Sequence, residues 1–287
     1  MNGKVDPLFE LICKQPKLAE QYSLVKDLCH QFKPFADENF EQELELQFVS
    51  RFWEMYLGCA FLNQGFALIP RKDRPKAGPD LCIVDKGVSF WIEAVAPSSG
   101  EGPDSVPDPE TQNGLVSENN IVLRFCQAIK SKHEKQNEYV ANGLLKESDP
   151  FLVAVNGARI PNADADQGTV PYPIQAVLPI GLPTVTIDKQ TLQKVGEGFQ
   201  YRDVIVKKSN SAVPTDIFLN PKYESMSGLL FSGVHPFYFR EVSFKSVSLL
   251  HNPLQKNHVP TGWLRAGREW WLEDHHLNLR IINPAAS

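Results

Sequence analysis

Hydrophobic and polar positions change their period several times along this chain. Across residues 1–40 apolar side chains recur at helical spacing, first Leu8, Leu11 and Ile12, then Tyr22, Leu24, Val25 and Leu28, with Pro16 and Pro34 as breaks. That pattern predicts an N-terminal helical cap. From Glu41 to Phe66 one longer helix is expected, apolar nearly all round in its second half and stopped by Gly65. Ala67-Leu68-Ile69 reads as a short strand. Leu81–Val84 and Val88–Ile92 are then two apolar runs around Asp85-Lys86-Gly87, a tight hairpin turn whose glycine takes positive φ without cost.

Residues 97–117 are rich in proline, glycine and acids, and predict a polar loop with little to pack, mobile when no ligand is bound. A second long helix is expected from about Glu118 to Asn142, with Ser117 as N-cap and Asn142-Gly143 as its end. Phe151–Val155 reads as a buried strand. Beyond residue 160 the segments Ile174–Leu178, Thr184–Ile187, Asp203–Val206, Gly228–Phe231 and Val242–Leu249 read as short strands among turns. The expected architecture is α/β. Residues 1–40 form a helical cap, 41–160 a core with a central mixed β-sheet flanked by helices, and 161–287 a strand-rich extension packed on that core.

Composition acts mainly by exclusion. No apolar run approaches the roughly 20 residues of a membrane span, and the first residues lack the apolar stretch of a secretory signal. The five cysteines are odd in number and far apart, without a Cys-x-x-Cys pair, so free thiols and a reducing, cytoplasmic location are expected. A net charge of −5 speaks against a protein that coats nucleic acid, but leaves room for a local basic groove. Arg71-Lys72-Asp73-Arg74-Pro75-Lys76 is such a patch, either an ordinary charged loop or a set of phosphate contacts.

The candidate chemistry sits on the hairpin. Asp80 follows Gly78-Pro79 at the start of the first strand, and Glu93 ends the second. Antiparallel pairing therefore brings two carboxylates side by side at one edge, an oxygen-rich pair suited to Mg²⁺. The alternative is a pair of solvated strand-end acids. On the preceding helix Glu54 lies three residues after Arg51, as a surface ion pair or as a third carboxylate turned toward the hairpin. On the following helix Ile121, Val122, Phe125, Ala128, Ile129, Tyr139 and Val140 share an arc of about 120°. Lys132 falls inside that arc and Gln136 beside it, Lys135 just past its edge. A lysine there either snorkels to solvent or meets carboxylates. Arg124, near the edge of the same face, could touch a phosphate.

This order of acidic helix, strand, Pro79-Asp80 at a hairpin, Glu93, helix and strand resembles the PD-(D/E)XK, or restriction-endonuclease-like, nuclease superfamily over residues 45–157. The resemblance implies a restriction-endonuclease-like core and Mg²⁺- or Mn²⁺-dependent hydrolysis of phosphodiester bonds in DNA. It implies metal ligation by Asp80, Glu93 and the Val95 carbonyl, with Glu54 orienting the attacking water. Substrate contacts would come from Arg71, Lys72, Arg74, Lys76, Arg124 and Gln136. One position departs from the pattern: Val95 stands where the family usually has lysine, and Lys132 is placed to substitute for it. A homodimer would suit double-strand cutting, and no membrane association is implied. Two other readings stay open. One is a catalytically degenerate nuclease-fold protein that binds nucleic acid or a protein partner. The other is an interaction protein whose Trp263, Trp270 and Trp271 form a partner surface or simply core. In the C-terminal half Asp216, His235 and His251 stand out, but read first as turn or surface residues.

Overall fold

The computed structural model describes residues 4–108, 116–164 and 170–283. Four helices come first: α1 (Pro7–Lys14), α2 (Ala19–Phe32), α3 (Phe40–Leu46) and α4 (Phe48–Asn63). The strand β1 (Ala67–Leu68) and the hairpin β2 (Leu81–Asp85) and β3 (Val88–Val95) follow, then α5 (Glu118–Ala141) and β4 (Phe151–Asn156). The remaining elements are α6 (Tyr172–Gln175), β5 (Ile180–Ile187), β6 (Lys194–Tyr201), β7 (Val204–Val206), β8 (Ala212–Pro214), β9 (Met226–Ser232), β10 (Ser248–His251), β11 (Gly267–Glu273) and β12 (His276–Ile282).

One mixed sheet of eight strands organises the molecule, in the order β1-β2-β3-β4-β9-β10-β11-β12. β1, β2 and β3 are antiparallel neighbours. α5 then carries the chain across the sheet so that β4 runs parallel to β3, and β9 continues parallel to β4. Strand alternation sorts the core into two layers. Leu81, Ile83, Phe90 and Ile92 face α4 and the N-terminal helices, while Cys82, Trp91, Val153 and Val155 face α5 and α6. α4 is buried over most of its length, as its all-round apolar pattern requires. At Gly58 the ring of Phe32 approaches so closely that a Cβ would meet it at 2.5 Å, so this glycine sets the distance between α2 and α4.

Several sequence expectations change. The helix expected over 41–66 is two helices. Gln47 leaves the helical region (φ −136°, ψ 50°), which separates α3, packed with the cap, from α4, packed on the sheet. Ile174–Leu178 is not a strand: Pro171 and Pro173 start one helical turn, and Ile174, Val177 and Leu178 bury against the α5 layer. In Val242–Leu249 the chain makes a 3₁₀ turn at Phe244–Ser246 before β10 begins. Beyond residue 160, β9 to β12 extend the same sheet as the hairpin.

β5 and β6 form a separate ribbon that leaves Val185, Ile187, Val195 and Phe199 exposed. His251 is buried rather than on the surface, as is Trp263. All five cysteines are free. Among the described residues no helix is long and apolar enough to cross a membrane. In the expected polar loop, Val106 is buried and its N–H bonds the Ser99 carbonyl at 2.9 Å, so the loop's first half packs. Residues 109–115 of that loop lie outside the described residues.

Candidate active site

The hairpin turn closes with Lys86 (φ 49°) and Gly87 (φ 80°) both left-handed, the geometry that a two-residue connection between twisted strands favours. That turn sets the register. Leu81 pairs with Ile92, so one step further places Asp80 beside Glu93 on the face toward α5. Asp80 Oδ2 accepts from the Ala94 N–H at 2.7 Å, which fixes its carboxylate against β3.

Glu93 is fully buried, and one face of α5 donates to both of its oxygens. Lys132 Nζ donates to its Oε1 at 2.8 Å, Lys135 Nζ donates to the same oxygen, and the Tyr139 hydroxyl donates to Oε2 at 3.0 Å. The spacing 132, 135, 139 lines up along a helix, so a single face supplies all three donors. Lys132 keeps 18% of its side chain exposed and Lys135 keeps 43%, so Lys132 is the more enclosed ammonium. Burial alone would lower the Lys135 pKa, but the Glu93 carboxylate more than reverses this and holds the ammonium above the usual lysine range. Burial, with the Glu93 charge, also raises the Tyr139 hydroxyl.

On the other side, Glu54 is buried on α4 and its Oε2 accepts from Arg51 at 2.5 Å; Arg51 also reaches Glu43 at 2.9 Å. Burial and the neighbouring Asp80 charge push the Glu54 carboxyl up to about 8, against the opposing pull of Arg51. Asp80 is raised to about 6 by burial and by Glu93, with Lys132, the Ala94 N–H and Lys135 acting in the opposite direction. Asp80 thus acts electrostatically on Glu54 and Glu93 on Asp80, with Arg51 bonded to Glu54 and with Lys132 and Lys135 bonded to Glu93.

The other sequence candidates divide. Arg74 is buried, and its guanidinium donates to the carbonyls of Pro79 (3.0 Å), Phe35 (2.5 Å) and Asp80. It therefore builds the loop that presents Asp80 rather than facing solvent. Arg71 is tied to Asp37 and to the carbonyls of Pro75 and Lys76. Lys72 and Lys76 are exposed. Arg124 Nε donates to Ser98 O at 2.8 Å and its guanidinium lies over Gly100, clamping the loop after β3 onto α5. Gln136 turns away from Glu93 and donates to Ser225 O at 2.9 Å. Val95 is half-buried with its side chain on the Glu93 face, since the two are two residues apart on one strand.

Carboxylate oxygens are the donor type that a hard divalent cation takes. Burial and a neighbouring carboxylate raise Glu54 and Asp80 despite their cationic neighbours, so both hold their protons more tightly than free carboxyls. Among the described residues no three His, Cys, Asp or Glu side chains group closely enough to form a ligand shell by themselves. Asp80 and Glu93 are accordingly the pair available, with backbone or solvent oxygens needed to complete coordination. Comparison with protein-family models, with curated proteins and with solved structures gives no match for this chain.

Proposed function

We propose that the protein is a metal-dependent nuclease of the PD-(D/E)XK type that hydrolyses phosphodiester bonds in DNA. The observation that carries this reading is the 2.8 Å contact between Lys132 on α5 and Glu93 on β3, beside Asp80. It brings a lysine to the carboxylate pair from the following helix, as the Val95 departure requires. The order of α4, β1, the β2–β3 hairpin, α5 and β4 is also the order on which the resemblance rests.

In this reading Asp80, Glu93 and the Val95 carbonyl hold Mg²⁺ or Mn²⁺, which when bound lowers the pKa of water and polarises the phosphoryl oxygens. The chain's own residues do the rest. Glu54, held by Arg51, orients the attacking water. Lys132 stabilises negative charge developing on the phosphate. Lys135 and Tyr139 keep the Glu93 carboxylate oriented. Arg51, Lys132 and Lys135 already balance the three acids, so a bound cation would leave the site net positive and receptive to a phosphodiester.

One observation favours the degenerate, binding-only reading: both oxygens of Glu93 already have partners from the chain itself. Incubation of labelled single- and double-stranded DNA with Mg²⁺, Mn²⁺ or a chelator separates the two. The nuclease reading expects cleavage with either metal and none with chelator. Binding without cleavage in any metal identifies the degenerate form.

A further inference from the structure

The loops after β4 and β9 enclose a cleft of about 530 Å³ that the hydrolytic site does not use. Its size is in the range of small-ligand pockets. It opens at the carboxyl ends of two parallel strands, where open α/β sheets receive ligands. Asp80 and Glu93 lie on that same edge, because β3 runs parallel to β4 and Val95 pairs with Val155 near the end of both. β9 is two strands from β3, about 10 Å along the edge.

The cleft walls are tied together. Asn156 Nδ2 donates to Val234 O at 3.0 Å while its Oδ1 accepts from Ala158 N at 2.7 Å. Ser232 Oγ donates to Ser246 O at 2.7 Å and accepts from Val234 N at 3.1 Å. Phe239 packs against Phe52 and Tyr56 of α4, the helix that carries Glu54. These bonds fix the cleft walls, and Phe239 seats one of them on α4.

Its mouth is chemically distinctive. Tyr238 is 78% exposed, its ring centroid 5.1 Å from that of His235 at an interplanar angle of 37°. Arg240 and Lys245 are exposed on the rim. Lys245 meets Glu241 at 3.4 Å, but both side chains are more than 60% exposed, so that pair is weak and exchangeable for a phosphate. Asp164 and Glu241 also line the cleft. A duplex backbone calls for an unbroken basic stripe, and these acids interrupt it. A single base on an aromatic platform with one phosphate beside a cation needs no stripe.

We infer that this cleft is a subsite for one unpaired nucleotide of a single-stranded nucleic acid, with the base stacked on Tyr238 and its phosphate at Arg240 and Lys245. The inference rests on the nuclease reading of the Asp80–Glu93 site and names the form of substrate that site receives.

The test is fluorescence anisotropy of a labelled oligothymidylate and of a duplex of equal length, both in chelator so that no cleavage occurs. Wild-type protein binds the single strand more tightly. Tyr238→Ala weakens single-strand binding by about ten-fold or more, in line with the loss of one stacked base. Tyr238→Phe stays within about two-fold because the aromatic face remains. Arg240→Gln reduces the salt slope of single-strand binding by about one. Preference for the duplex, binding of neither, or unchanged binding by Tyr238→Ala overturns the subsite. Because binding is read without metal, a wild-type protein that binds as described but never cleaves overturns the nuclease reading alone.

Discussion

Lys132 Nζ lies 2.8 Å from Glu93 Oε1, joining the middle of α5 to the end of β3 at the strand position that neighbours Asp80. The contact places an ammonium where the hairpin itself has only Val95. If that ammonium acts on the transition state, Lys132→Ala lowers single-turnover cleavage by about 10²-fold or more while nucleic-acid binding persists. Lys135→Ala has the smaller effect on rate, because its ammonium is more exposed. Equal losses in binding and rate for Lys132→Ala would make it a binding residue only.

Val95 shares its strand face with Glu93, so a lysine there points to the same carboxylates. Val95→Lys in the Lys132→Ala background is expected to recover part of the lost activity, at a stability cost of about 1 kcal/mol for a half-buried charge. Cleavage rate and urea midpoint measured on the same preparations check both halves. No recovery in a folded double variant counts against the interchange.

Asp80 and Glu54 bind protons more tightly in the fold than their ordinary values of 3.8 and 4.5 allow, at about 6 and about 8. Between about pH 4 and pH 8 the folded state therefore holds more protons than the unfolded one, and stability falls as pH rises. Asp80→Asn removes its share of this slope, and at pH 8 leaves Tm unchanged or raises it by about 2–4 °C. A divalent cation competes with those protons, so Mg²⁺ or Mn²⁺ raises Tm more at pH 8 than at pH 5. Thermal melts across that range, with and without metal, give both results. A Tm that rises with pH over this interval without metal contradicts the assignment.

The two-strand part of this site was legible in the sequence because period-2 alternation and a two-residue turn determine register locally. Lys132 was legible because 3.6-residue periodicity puts it inside an apolar arc. Lys135 lies just beyond that arc, and only its long stem brings the ammonium back to Glu93. Tyr139 read as one more apolar residue, since periodicity does not show where a hydroxyl points. The break at Gln47 carries neither proline nor glycine to mark it. The place of β9 to β12 depends on pairing between distant segments, which no local pattern encodes. Arg74, in a run of exposed charges, gives no sequence sign that its donors meet three carbonyls.

That burial gives Arg74 a different signature from its neighbours. Arg74→Ala strands the carbonyls of Pro79, Phe35 and Asp80 and is expected to cost about 2–4 kcal/mol, with Arg74→Lys restoring little because an ammonium lacks the fork geometry. Lys72→Ala and Lys76→Ala, at exposed positions, leave stability within about 0.5 kcal/mol and weaken nucleic-acid binding with a lower salt slope. Denaturant titration and salt-dependent binding distinguish the two roles.

A hydrolytic metal site at Asp80 and Glu93 makes cleavage depend on the metal and on the Asp80 carboxylate. Single-turnover cleavage of end-labelled DNA is followed in Mg²⁺ or Mn²⁺ for wild type and for Asp80→Asn, both verified as folded by thermal melting. Metal-dependent cleavage by wild type and a loss of at least about 10²-fold in the variant are expected. Wild-type protein that is folded yet inert in both metals, or a variant that cleaves at the wild-type rate, would contradict it.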